Sequence, residues 1–183
     1  MAQPPAVMSS PVVASPVTTA PGLGTNPDKS ASKSTPPAPP LSPEKITAAC
    51  PLLRVVDMEK LNGGTWAAKA EEGEPVKDGF RCGYSTQYNR YSGYTPNQLL
   101  VIAVPGNASP AKELAVRTKD CTQPAVAVAG AGESASYCEI DEHRTLVMIG
   151  KRGHGETRVA SVDVDRTRAE VYVEVAKLLA ERL

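Results

Sequence analysis

Apolar and polar positions change rhythm several times along this chain, and each rhythm predicts an element. Residues 98–104 (QLLVIAV) form a continuous apolar run of strand length, suited to the middle of a sheet. Near the end, Ala169, Tyr172, Val173, Ala176, Leu179, Ala180 and Leu183 recur at three- and four-residue steps, and Val171, Val175 and Leu178 widen the stripe. That is one face of an amphipathic helix, which must cover a sheet. Asp165 stands where it can cap that helix.

Shorter patterns fill the interval. Strands are expected at 65–70, 80–86 and 134–140, and 125–128 is a short apolar piece. Residues 145–150 and 158–164 predict a hairpin turning around Gly153-His154-Gly155. Ser42-Pro43-Glu44 reads as a helix start, with a capping hydroxyl, a proline at the first helical position and an acid near the positive dipole end. That helix should run to about Ala49, where Cys50-Pro51 breaks it. A second short helix is expected at 55–61, ended by Asn62-Gly63-Gly64, and a third at 111–119 behind Ser109-Pro110. The order is helix, three strands, helix, three strands, helix. It predicts an α+β domain whose mainly antiparallel sheet of about six strands is covered by the long C-terminal helix and shorter ones.

Residues 1–42 have none of these rhythms. They hold ten of the seventeen prolines, no aromatic residue, and only Asp28, Lys29 and Lys33 as charges. Proline removes backbone donors, and too little apolar surface is present to offset chain entropy. The stretch reads as a disordered tether before a single domain at 43–183.

Charge excludes two partners. The chain balances 20 basic against 20 acidic residues, and the tail takes two basic and one acidic, leaving 18 against 19 in the domain. Such a domain has no electrostatic footprint for nucleic acid and no polybasic patch for anionic lipid. No stretch has the apolar length of a membrane span. The first residues do not read as a signal peptide, because a basic start is missing and Pro4, Pro5, Pro11 and Pro16 interrupt any apolar core.

Four cysteines, Cys50, Cys82, Cys121 and Cys138, all fall in the domain. No two are closer than seventeen positions, unlike the close pairs of structural zinc sites, and no redox C-x-x-C is present. Three disulfide pairings are possible. The sequential pairs Cys50–Cys82 and Cys121–Cys138 are favoured, with buried free thiols as the alternative. Disulfides predict a compartment outside the reducing cytosol.

Several local patterns then line up. Cys50-Pro51-Leu52-Leu53 leads into a short helix ending Leu61-Asn62-Gly63-Gly64, Cys82-Gly83-Tyr84 follows on a strand, and Gly130-Ala131-Gly132-Glu133-Ser134-Ala135-Ser136-Tyr137 opens another. The chain closes with Ala176-Lys177-Leu178-Leu179-Ala180. Over about residues 45–183 this resembles the actinobacterial cell-envelope lipoprotein family called domain of unknown function 3558. The resemblance implies a lipid-anchored, tethered, small α+β domain whose Cys-x-Leu-Leu and Cys-x-aromatic segments are joined by a disulfide. Tyr84 stands where the family often has tryptophan, and the lipidated cysteine with its signal peptide is not in this chain. The family brings no catalytic residue to carry over.

Candidate chemistry is sparse. Residues 80–94 hold five of the eight aromatics: Phe80, Tyr84, Tyr88, Tyr91 and Tyr94, interleaved with Asn89, Arg90, Ser92 and Gly93. Such loops make binding surfaces, because tyrosine offers large amphipathic area at low entropy cost. Tyr84, Tyr88, Tyr91 and Tyr94, with Trp66, form the candidate surface; plain hairpin packing is the competing reading. Gly130-x-Gly132-x-x-Ala135 imitates a dinucleotide fingerprint, but a strand and not a helix is expected after it. Asp141-Glu142-His143 and His154 fall in expected turns, and Ser30-Ala31-Ser32-Lys33 lies in the tail. No catalytic residue, metal or cofactor is expected.

The expected function is therefore that of a non-enzymatic, extracytoplasmic domain of an envelope lipoprotein-like protein. It would present a small, monomeric binding domain to a cell-envelope protein, glycan or lipid, and meet the membrane only through an anchor outside this chain. The alternative is an extracellular sensing or ligand-capture domain with an apolar pocket.

Overall fold

A computed structural model of the chain describes residues 42–61, 69–85 and 97–183, all within the compact unit Pro37–Leu183. Seven strands form one antiparallel sheet: β1 (Lys69–Glu72), β2 (Gly79–Ser85), β3 (Asn97–Pro105), β4 (Val126–Ala127), β5 (Ser134–Glu139), β6 (Arg144–Gly153) and β7 (Glu156–Asp165). Among the described residues three helices accompany them: α1 (Val55–Leu61), α2 (Pro110–Arg117) and α3 (Ala169–Arg182). The spatial order is β1-β2-β3-β7-β6-β5-β4. Two meanders are thus joined where β3 meets β7, from Leu99↔Val162 to Pro105↔Glu156. The fold is α+β.

The apolar run at the third strand sits where its pattern requires, between β2 and β7. Period-two alternation sends Leu99 and Val101 to one face with Cys82, Val162, Ala160, Val147 and Ile149, and this face carries the larger core. α3 lies on it and buries Val171, Tyr172, Val175, Ala176 and Leu179. Burying one such side chain fully contributes about 1.5–3 kcal/mol. The opposite face has a smaller core of Leu114, Cys138, Met148 and Val159 beneath α2. Gly150 allows that approach: a Cβ there would stand 2.9 Å from the Pro110 Cβ.

Two expected features do not form, and both losses have partners that explain them. No helix runs from Pro43 to Ala49; among the described residues a 3-10 turn at Cys50–Leu52 is the first helical element. Ser42 has φ 48°, which is not the extended conformation of a helix cap. The carbonyls of Pro43 and Glu44 accept instead from the Arg158 guanidinium, at 2.6 Å each. The amides of Ala49 and Cys50 donate to the Glu72 carboxylate, at 3.2 and 2.7 Å. Side chains from the sheet thus satisfy the groups a helix would have paired internally. Asp165 does not cap α3 either, because β7 extends through it. Thr167 ahead of the helix donates its N–H to the Tyr172 hydroxyl (2.6 Å) and accepts from it (2.9 Å).

The strand count is seven rather than six because the short apolar piece pairs with β5 as β4, through Val126↔Tyr137 and Ala127↔Ser136. The hairpin turns through His154 and Gly155 at φ 51° and 77°. The third expected helix is cut to Pro110–Arg117 and continues as a 3-10 turn at Thr118–Asp120.

Candidate binding cleft

Residues 42–61 run along the α3 face as a strap. Ile46, Ala49, Leu52, Leu53 and Met58 are buried there. A disulfide joins Cys50 to Cys82 with a Cα–Cα distance of 4.9 Å. Glu72, which grips the Cys50 amide, lies directly across the ladder from Cys82. Two buried arginines complete the attachment. Arg158 is fully enclosed; besides Pro43 and Glu44 it donates to the Leu183 main-chain oxygen (2.5 Å) and to Glu156 (2.7 Å). Arg182, on α3, donates to the Leu52 carbonyl (3.1 Å) and to both Asp57 oxygens (2.5 and 3.1 Å).

Asp57 also accepts from the Arg54 amide, the N-terminal cap arrangement of α1. Burial alone would raise its pKa, but hydrogen bonds from Arg182 and then Arg54 outweigh that and hold it well below the usual carboxylate range. Asp163 shows the reverse balance. Burial raises its pKa, only partly offset by the Gln98 amide at 2.6 Å and by Arg144. These two partly buried carboxylates are thus tied to the backbone or to arginines that hold the fold.

Of the aromatic residues singled out from sequence, Trp66, Tyr88, Tyr91 and Tyr94 lie outside the described residues. Tyr84 is described and contributes no exposed surface, at 1% accessibility. Its hydroxyl donates to the Leu53 carbonyl at 2.5 Å, so it fixes the strap. Burial, chiefly, pushes its phenol pKa far above the ordinary value. Asn97, facing Tyr84 across the ladder, is fully buried, and its side-chain amide has no hydrogen-bond partner among the described residues.

The second disulfide, Cys121–Cys138 (Cα–Cα 5.7 Å), lies on the α2 side of the sheet. It pins the chain leaving α2 onto β5, where Thr122 donates both its amide and its hydroxyl to the Glu139 carbonyl (2.8 and 2.9 Å). The chain then passes Gln123 and Pro124 and enters β4, the last strand of the sheet.

That path builds one wall of a cleft of about 340 Å³. β5 and β6 contribute Tyr137, Glu139 and Thr145; the entry to α3 contributes Arg166, Thr167 and Tyr172. The Tyr137 and Tyr172 rings lie 5.0 Å apart between centroids, tilted by 46°, an arrangement aromatic pairs prefer to a flat sandwich. Thr145 donates to the Tyr172 hydroxyl at 3.1 Å. With the two bonds to Thr167, that hydroxyl is saturated and the ring is locked. Arg166 pairs with Glu139 at 2.6 Å at the mouth, with side chains 53% and 39% exposed. Val126 is 49% exposed beside it.

Sequence reasoning placed Tyr137 on a strand and Tyr172 on a helix face but not together. No local pattern signals a pair of rings 35 positions apart; only the packing of α3 across β5 joins them. The glycines at 130 and 132, at φ 74° and 67°, make the turn before β5, with no helix after them. Asp141 accepts from the His143 and Arg144 amides and from the Arg144 side chain in the turn between β5 and β6. Among the described residues no three His, Cys, Asp or Glu side chains cluster as metal ligands would, and no helix is long and apolar enough to cross a membrane. No family model, curated protein or solved structure matches the chain.

Proposed function

We propose that this chain is a non-enzymatic binding domain that works outside the cytosol as part of a cell-envelope lipoprotein-like protein. The observation that carries the reading is the pair of disulfides, Cys50–Cys82 and Cys121–Cys138, closing opposite faces of one sheet. Bridges persist where thiols are not kept reduced. By loop entropy each contributes about 3–4 kcal/mol, a large share of the ~5–15 kcal/mol typical of a domain. The resemblance to domain of unknown function 3558 supports the envelope location, and residues 1–42 supply the composition of a tether. The engagement of Asp57 and Asp163 in structural contacts supports a binding rather than a catalytic role.

The test is an intact mass of protein from its own host, alkylated without reductant and followed by disulfide mapping. Both bridges intact are expected, and the same mass reads out any attached lipid. Four alkylated thiols sink the proposal.

A second reading, capture of a small ligand, is favoured by the cleft. Its volume of about 340 Å³ falls within the ~300–1,000 Å³ of small-molecule sites. The binding surface proposed on this reading is the Tyr137–Tyr172 cleft.

A further inference from the structure

We infer that the cleft between β4–β5 and the start of α3 takes a neutral sugar ring, with the pyranose face laid against Tyr137. The inference rests on the binding-domain reading and names the ligand class of that site.

Four features select this chemistry. The first is charge. Arg166 and Glu139 neutralise one another at the mouth, at 2.6 Å. The pair carries no net charge, so it gives a charged ligand no net attraction, and a neutral ligand can use it as it stands. The second is the polar content. A guanidinium engaged at one edge keeps further N–H donors, and the carboxylate keeps a second oxygen as an acceptor. Gln123 adds an exposed amide with both functions. Planar groups of this kind suit adjacent hydroxyls, each of which donates and accepts.

The third feature is the aromatic floor. Tyr172 is buried, its hydroxyl saturated by Thr145 and Thr167, and its ring backs the cleft and props up Tyr137. Tyr137, half-buried and 5.0 Å from it, provides the adjoining surface. A pyranose has a C–H face that packs on a ring and a rim of hydroxyls that does not. The fourth is access. Gln123, Pro124 and Val126 along one wall are all exposed. A lipid chain needs an enclosed apolar site, while a sugar keeps part of its hydration.

The experiment is an NMR titration of the ¹⁵N-labelled full chain, bridges intact. The probes are glucose, galactose, mannose and N-acetylglucosamine, set against glucuronate, hexanol and a neutral tripeptide. Saturable shifts from at least one neutral sugar are expected, centred on Val126, Tyr137, Glu139, Arg166 and Tyr172. Tyr137→Ala should weaken that binding about tenfold or more, the worth of a lost ring contact. Tyr137→Phe should keep most of it. Gln123→Ala, at an exposed position that leaves the core untouched, should weaken it while the free spectrum changes only at the immediate neighbours of 123. No response to any neutral sugar overturns the inference. So does saturation of the cleft by hexanol, glucuronate or the peptide in place of sugar, or sugar shifts centred elsewhere. The disulfide mapping is independent: intact bridges without sugar binding remove the sugar and leave the binding-domain reading, whereas free thiols in host protein remove that reading whatever the titration shows.

Discussion

The two disulfides tie down two segments by different means. The strap at residues 42–61 is held redundantly. Besides Cys50–Cys82 it has the Glu72 carboxylate, the Tyr84 hydroxyl, two buried arginines and five buried apolar side chains. The segment after α2 has Cys121–Cys138, two bonds from Thr122 to one carbonyl, and a two-residue strand with both residues exposed. A cross-link among many ties acts on the stability of the whole molecule. One among few also sets the stability of its own segment. The sparse segment is also the one that builds a wall of the cleft.

The largest effect should follow from replacing Cys50 and Cys82 together by alanine. The loop spans 32 positions, so the loss is about 4 kcal/mol in denaturant unfolding. In hydrogen exchange, protection at Leu52 and Met58, whose amides are hydrogen-bonded within the strap, should fall only in step with that global loss. Replacing Cys121 and Cys138, which span 17 positions, should cost about 3 kcal/mol. Here Thr122 and Val128, whose amides bond to β5, should exchange faster than the global loss accounts for. Equal local responses at the two sites would mean that the redundancy of the strap has no energetic weight.

The same contrast separates what could be read from the sequence from what could not. β3, the β6–β7 hairpin and α3 follow from local periodicity, because each buries a face its own residues define. Residues 43–49 of the strap were misread as a helix because their partners are remote: Arg158 lies 115 positions from Pro43, and no local pattern announces it. Arg182 falls on the buried side of α3, where only apolar residues were expected, since its partner Asp57 is 125 positions away. Tyr84 was grouped with a tyrosine-rich surface on composition, but its strand spacing from Cys82, which also allowed a core place, puts it on the same buried face. The cleft escaped for a related reason, as α3 must first dock on the sheet before Tyr172 meets Tyr137.

A smaller effect, read through pH, compares two partly buried carboxylates. Asp57, on the strap, has a folded pKa below its unfolded value. It therefore contributes stability that is present above the unfolded pKa, near 4, and lost as pH falls through the folded one. Asp163, on β7, has a raised folded pKa. Its contribution is fully present below the unfolded value and lost as pH rises through the folded one. Asp57→Asn should cost about 2 kcal/mol at neutral pH, since it leaves Arg182 without its counter-charge. The gap to the parent should narrow as pH falls below about 4. Asp163→Asn keeps an acceptor for the Gln98 amide and should change neutral stability by under about 1 kcal/mol. Urea midpoints across the acid range read both, and a gap for Asp57→Asn that does not narrow with acidification removes the assigned role.

The smallest effect makes one substitution on both sides of the comparison. Tyr84→Phe keeps the buried ring and removes only the hydroxyl, leaving the Leu53 carbonyl without its 2.5 Å donor in a closed site. A neutral hydrogen bond lost from such a place costs about 1 kcal/mol, more where no water can replace it. Tyr137→Phe removes a hydroxyl from a half-buried ring beside the open cleft. It should stay within about 0.5 kcal/mol of the parent. Urea unfolding resolves the two if the slopes are unchanged, as they should be when neither variant alters the surface exposed on unfolding. A larger loss at Tyr137 than at Tyr84 would reverse the assignment, making Tyr137 part of the scaffold and Tyr84 dispensable to the strap. The expected order leaves Tyr137 held by its strand pairing and the packing of its ring, with no structural duty for its hydroxyl that a ligand would have to displace.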